Sequence, residues 1–347
     1  MEWLGVRECV AVSSWTCGLA LTLRALDLTG EVILPSFNFF ASAHAVLWNG
    51  LEPVFADCEP DSFNLNPEHV ARLIGPATSA ILTVHMFGNP ADTEALEAIA
   101  RRHGVRLIFD AAHALGSRRD GRRVGGFGDA EVFSLSPTKL LVAGEGGLIA
   151  TQDRELAARL RAARNYGDAG GYDPIVLGLN ARLPEFNALL ALGGLPEVES
   201  RVARRNGIAA RFVAGLADLP GLAFQHVRPS DTSPYKDFAV LVESEEFGLN
   251  RDELAQALAA ENVEVRKYFH PPLHEQRLCR AFYDPDRESL RATEQIARRV
   301  LSLPIYSSLT DGEVDRLVTA VAKIHDHRAE IGQALRQLLA IAVAAGN

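Results

Sequence analysis

Two stretches of this sequence carry side chains that could do chemistry together. In the first, the apolar run Val105-Arg106-Leu107-Ile108-Phe109 ends in Asp110-Ala111-Ala112-His113. A carboxylate directly after a buried strand costs free energy unless a cation or hydrogen bonds meet it. Two uses fit: the N-cap of a following helix, or a carboxylate that keeps a heterocyclic nitrogen protonated. The second stretch is Val132-Phe133-Ser134-Leu135-Ser136-Pro137-Thr138-Lys139, followed by Gly144-Glu145-Gly146-Gly147. A strand would deliver Ser134 to its end, Pro137 would stop it, and Lys139 would then lie in an irregular segment. Small and apolar neighbours strip water from a lysine and favour the neutral amine that attacks a carbonyl carbon. A surface lysine in a turn is the plainer reading of any single Lys, but the glycines imply a close backbone approach here.

Other motifs are weaker. Ser136-Pro137-Thr138-Lys139 fits the S-x-x-K pattern of serine hydrolases, yet no K-T-G element occurs and Ser230-Asp231-Thr232 only half matches S-D-N. His270-Pro271-Pro272-Leu273-His274 spaces two histidines by four, but the two prolines forbid the helix that would align them on a metal. This segment reads as a rigid loop at the mouth of a site. No Walker A sequence and no strand-linked G-x-G-x-x-G is found. With 35 Lys and Arg against 44 Asp and Glu, the chain has a formal net charge of -9, which argues against nucleic acid or an anionic membrane as partner. Cys9, Cys17, Cys58 and Cys279 are dispersed, as in a reduced, cytoplasmic protein without a cysteine-built metal site. The start of the chain lacks a signal-peptide pattern, and no apolar run is long enough for a membrane span.

The elements that must position these groups follow from periodicity. Glu31–Pro35, Ala80–Val84, Val105–Asp110, Glu131–Ser134 and Gly147–Thr151 read as strands. Asp92 and Asp153 are placed to cap helices between and after them, the first ending at Gly104. This alternation predicts an α/β fold with a mainly parallel sheet covered by helices on both faces, and ligands beyond the carboxyl ends of its strands. A long Arg-rich helix begins near Pro196. After it, strands at Phe224–Val227, Phe238–Val242 and Val263–Arg266 and a helix at Arg251–Glu261 predict a smaller α+β unit. The expected division is residues 1–215 and 216–347.

Taken in order, several segments resemble the DegT-type sugar aminotransferases, a family of fold-type I enzymes that use pyridoxal 5'-phosphate. They are Ser13-Ser14-Trp15-Thr16-Cys17-Gly18, Pro35-Ser36-Phe37-Asn38-Phe39-Phe40, Val84-His85-Met86-Phe87-Gly88-Asn89-Pro90-Ala91-Asp92, Asp110-Ala111-Ala112-His113, Phe133 to Lys139 with Gly144 to Gly147, and Gly178 to Leu183. The resemblance runs from about Val10 to about Thr310. It implies that Lys139 carries the cofactor as a Schiff base and moves the proton in catalysis. Asp110 would pair with the pyridinium nitrogen, His113 would lie by the phenolic oxygen, and Phe39 would stack on the ring. Thr16 and Ser134, with the backbone around Trp15, would hold the phosphate. Asn180 would reach that phosphate from a second subunit, so a homodimer is implied. The implied reaction moves an amino group from an amino acid, usually L-glutamate, to a nucleotide-diphosphate ketosugar.

The match has departures. Trp15 stands where a small residue is usual; turned away it leaves the phosphate pocket intact, and turned inward it would occlude it. Ala181 and Pro184 stand where Tyr and Ser or Thr are common, which bears on the contact between subunits. The phosphate turn comes within fifteen residues of Met1, where the family generally has a few tens of residues, so either a missing N-terminal arm or a misplaced start is expected. Two further readings remain: a ketocyclitol acceptor, or a catalytically weak, cofactor-binding regulatory protein.

Overall fold

The computed structural model describes residues 1–345, with side chains through residue 338. A seven-stranded sheet forms its centre. In chain order the strands are β1 (Glu8–Val12), β2 (Glu31–Pro35), β3 (Glu52–Ala56), β4 (Thr78–Val84) and β5 (Arg106–Asp110). A short hairpin, β6 (Arg118–Arg119) and β7 (Arg122–Arg123), stands apart, and β8 (Ala130–Ser134) and β9 (Gly147–Thr151) complete the sheet. Its spatial order is β1-β9-β8-β5-β4-β2-β3. The run from β3 to β8 is parallel, whereas β9 is antiparallel to both β8 and β1. The mainly parallel sheet is therefore as expected, and the structure adds β1 and β3. Both are edge strands. Pro53 masks β3 in the sequence, and an edge is where a strand tolerates a proline.

Helices cover both faces. α1 (Trp15–Ala25), α2 (Phe40–Trp48) and α5 (Arg154–Ala163) pack on one core; α3 (Pro67–Leu73) and α4 (Thr93–His103) pack on the other. Asp92 and Asp153 cap α4 and α5 as predicted, and α4 ends on Gly104 at φ 67°, the left-handed conformation that glycine adopts without strain. α6 (Glu185–Gly194) leads into α7 (Val198–Leu216), whose early residues Val198 and Val202 join the sheet's second core. Its later residues Ile208, Phe212 and Leu216 join a separate cluster around β10 (Leu222–Phe224), β11 (Phe238–Val242) and β12 (Val300–Leu303). That small antiparallel sheet is flanked by α8 (Ser244–Phe247), α9 (Arg251–Ala260), α10 (Arg291–Arg299), α11 (Asp311–Asp326) and α12 (Arg328–Ala345).

Two predicted strands differ. The Phe224–Val227 strand is shifted to Leu222–Phe224. Val263–Arg266 makes only one bridge, Arg266 to Ser302, and the third strand is β12 instead. The segment Val-Glu-Val-Arg alternates like a strand, but β12 already pairs with β11 and leaves it only that edge contact. Among the described residues no helix is long and apolar enough to cross a membrane.

Candidate active site

The two chemical stretches meet at the carboxyl ends of neighbouring strands β5 and β8. A cavity of about 360 Å³ opens there, and its lining includes Trp15, Thr16, Phe39, Asp110, His113, Ser134 and Lys139. Seven of the eight predicted site residues thus converge. Asn180 is the exception: it is exposed, bridges to Asn165, and is not part of the lining.

Asp110 ends β5 and is buried. No helix starts after it, so the N-cap reading fails; residues 111–113 form a turn. Its Oδ1 accepts the Ala112 N–H at 3.0 Å and its Oδ2 accepts the Ser42 hydroxyl at 3.0 Å. Asn38 Nδ2 in turn donates to Ser42 Oγ at 2.9 Å. These contacts orient the carboxylate without neutralising it. Burial pushes its pKa up to about 6, against the pull of those two hydrogen bonds and of Lys139 and His85. Beside it, His113 lies near-parallel to Phe87 and Phe269, with centroids at 6.1 and 6.4 Å. Its Nδ1 is buried and has no hydrogen-bond partner. Burial, with Lys139 and Lys236 nearby, holds the imidazole well below its usual pKa, so it is neutral.

Lys139 follows a turn in which its N–H donates to Ser136 O at 3.0 Å. Among the described residues no carboxylate lies within ion-pair distance of its Nζ. Burial, reinforced by the Lys236 charge, lowers its pKa to about 8, opposed by Asp110, Asp237 and Glu145. The amine is therefore far closer to neutrality than an ordinary lysine, as its neighbours in sequence imply.

The opposite end of the cavity is the N-terminus of α1. Ser14 caps it, its hydroxyl accepting the Cys17 N–H at 3.1 Å. Trp15 does not occlude it. The indole is buried in the core, and its Nε1 donates to Val132 O at 3.0 Å. The backbone of Trp15 and the side of Thr16 are left to face the cavity, where helix N–H groups favour an anion. The glycine signal is also explained: a Cβ at Gly147 would stand 2.9 Å from the Ser14 carbonyl and the Trp15 nitrogen. Glycine there lets β9 and the start of α1 touch. Ser134 lies at the end of β8, its hydroxyl 3.3 Å from Ser136 Oγ.

Phe39 is 44% exposed, so ordinary core packing is not its role; it lies against Phe40, with centroids 4.0 Å apart and the rings tilted by 36°, and lines the cavity. The Tyr268–His274 loop reaches the cavity through Tyr268 and Phe269, while His274 is buried and tied to Ser36 Oγ through Nδ1 at 2.7 Å. Sequence reading places the Tyr235–Phe238 loop facing the substrate but assigns no role to Ser14, Ser42, Asn38, Lys236 or Asp237. A cap signal was present at Ser14; the others come from elements far apart in sequence.

This arrangement fits a pyridine-type cofactor bearing a phosphate. The buried acid lacks a cation, the buried Nδ1 lacks a partner, and a helix N-terminus faces the far end. Comparison with known proteins agrees. A profile of the DegT/DnrJ/EryC1/StrS aminotransferase family matches residues 1–322. The chain belongs to this family. Family members use pyridoxal 5'-phosphate. A Streptomyces venezuelae relative named dTDP-3-amino-3,4,6-trideoxy-alpha-D-glucose transaminase is 38% identical over 317 residues, 90% of this chain and 81% of the relative. An Escherichia coli relative, dTDP-4-amino-4,6-dideoxy-D-glucose transaminase, is 33% identical over 311 residues, covering 89% and 84%. The crystal structure of DesI with its TDP-sugar product superposes with a TM-score of 0.91 at 39% identity, covering 96% of this chain and 85% of that one. The fold is thus fold-type I.

Proposed function

We propose that this aminotransferase moves an amino group from L-glutamate to a nucleotide-diphosphate ketosugar, with Lys139 as the residue that holds the cofactor. The observation that carries this reading is the convergence of Lys139, Asp110 and His113 on one cavity with the N-terminus of α1. The substrate class rests on the relatives, which are named for dTDP-sugars aminated at different carbons. The division into units of residues 1–215 and 216–347 is part of the same proposal, with α7 feeding both cores.

When bound, pyridoxal phosphate supplies a protonated ring that accepts the electron pair released from a C–H bond. The protein's residues have distinct tasks. The backbone of Trp15, Thr16 and the Ser134 hydroxyl would hold the phosphate. Asp110 holds the proton on the ring nitrogen, and the cation formed there would restore the ionised carboxylate that burial opposes. His113 Nδ1 would meet the phenolic oxygen, and Phe39 would cover the ring face. Lys139 Nζ, its proton affinity lowered, would take the proton from the donor carbon and deliver it to the cofactor carbon on the other side of the shared nitrogen.

Asn180 would act from a second subunit. It sits in a segment with several bare apolar residues in the single chain: Tyr172 is 99% exposed and Phe186 82%. α6 buries none of its ten residues, although Leu189, Leu190 and Leu192 lie on it. Such a patch marks an interface. Four unpaired, dispersed cysteines support a cytoplasmic setting.

The test is reverse transfer to 2-oxoglutarate from a panel of amines: the two dTDP-aminosugars named for the relatives and an aminocyclitol. Glutamate formed from a dTDP-aminosugar supports the proposal. Glutamate formed only from the aminocyclitol moves the substrate to that class. No transfer from any of them, with cofactor bound, favours the regulatory reading.

A further inference from the structure

Aminotransfer places two chemically unlike substrates in one cavity. The donor amino acid carries a permanent carboxylate beside its reacting carbon, whereas the reacting end of a ketosugar carries hydroxyls and no charge. A cavity in low-dielectric surroundings must therefore present a cation to one substrate and hide it from the other. Among the described lining residues, the cationic side chains are Lys139 and Lys236, His113 being neutral. Lys139 is committed to the cofactor and the proton. That leaves Lys236.

Lys236 is set in place from three directions. Its N–H donates to Phe87 O at 2.9 Å. From α7, the buried Arg205 guanidinium donates to Tyr235 O at 2.9 Å and to Lys236 O at 3.3 Å, fixing the turn that carries it. Its ammonium then pairs with the next residue, Asp237, at 3.0 and 3.1 Å, and lies 6.0 Å from the centre of the Tyr268 ring. Both side chains of the pair are nearly closed off from solvent, at 11% and 13% exposed. Sequence neighbours joined in this way make a cation that is neutralised locally yet still faces the cavity.

Resting on the aminotransferase reading above, we propose that Lys236 binds the carboxylate of the amino-acid donor and that Asp237 holds it in reserve while the sugar is bound. In the donor half-reaction the incoming carboxylate shares or replaces Asp237 as the partner of Lys236. In the sugar half-reaction the pair closes on itself and presents the cavity with a net-neutral, hydrogen-bonding wall. The position also accounts for the influence of Lys236 on Lys139, whose proton affinity it helps to lower.

The experiment uses the cofactor-loaded full chain and the variants Lys236→Met and Lys236→Arg. Binding of glutarate, a dicarboxylate with no amine to transfer, is measured by calorimetry. The two half-reactions are measured separately from the same cofactor form, one started with L-glutamate and the other with the dTDP-aminosugar that the wild type accepts. Loss of a charge-assisted contact predicts that Lys236→Met weakens glutarate by roughly 10- to 100-fold, with Lys236→Arg recovering much of it. The same variant should lose at least about tenfold more kcat/KM with glutamate than with the aminosugar. Unchanged glutarate affinity, or equal losses in both half-reactions, would overturn the assignment. If the wild type runs neither half-reaction, it is the aminotransferase reading that fails; if it runs both and the variant ratio is flat, only the role of Lys236 fails.

Discussion

The cavity floor and the Tyr166–Leu192 surface are both unfinished in the single chain, in opposite ways. At the floor, polar groups are buried without full compensation: among the described residues Asp110 has no cation within ion-pair distance and His113 Nδ1 has no hydrogen-bond partner. On the surface, apolar groups are exposed without cover, and α6 buries none of its residues. Buried charge is relieved by a small ligand that brings the opposite charge. Bare apolar area is relieved by another protein surface. The first region therefore speaks of a cofactor and the second of a subunit, and Asn180, lying in the second, is the residue proposed to join them.

Asp110→Asn separates function from stability most sharply at the floor. Asn can still accept the Ala112 N–H through its Oδ1, and its Nδ2 can donate to Ser42 Oγ once that hydroxyl turns to accept, but it cannot hold a ring proton, so aminotransfer should fall by roughly 100-fold or more, a loss on the scale of other electrostatic catalytic groups. The cofactor-free protein should behave oppositely. An acid raised from 3.8 to about 6 destabilises the folded state progressively as pH rises from about 4 to about 6, and fully above that. The variant should then be more stable than the wild type at pH 8, by up to about 3 kcal/mol, and equal to it near pH 3.5. Denaturant unfolding of the two cofactor-free proteins checks this; a variant less stable at pH 8 would break the contrast.

On the surface, Leu189→Glu should leave the isolated chain's stability within about 0.5 kcal/mol, because Leu189 is already exposed. Self-association should weaken by roughly 100-fold, since a buried unpaired carboxylate is costly at an interface. Analytical ultracentrifugation decides; unchanged association would remove this face from the dimer proposal. A smaller effect sharpens the account of the floor. Attachment of cofactor to Lys139 needs the neutral amine, so its rate in the cofactor-free protein should fall about tenfold per pH unit below about 8 and level off above it. A midpoint near the ordinary lysine value of 10.5 would mean that burial and Lys236 do not act on Lys139 as the geometry implies.

Much of this was legible in the sequence, for local reasons. The strands ending in Asp110 and Ser134 are short apolar runs stopped by a turn, and their ends are where the site lies. Asp92, Asp153 and Gly104 are helix signals whose effect is confined to one turn. What was hidden depends on tertiary placement. Asp110 followed by two alanines reads equally as a helix cap, and only the turn at 111–113 excludes it. The direction of Trp15 depends on a carbonyl at Val132, over a hundred residues away. Lys236 and Asp237 enter the cavity because Arg205 on α7 ties down their turn, and no local pattern marks that contact.

The central claim is that Lys139 holds the cofactor. Borohydride reduction of the cofactor-loaded protein, followed by peptide mapping, should place the phosphopyridoxyl mass on Lys139, and Lys139→Ala should carry none. A stable label on any other lysine, or no label on a protein that binds the cofactor, would contradict the account.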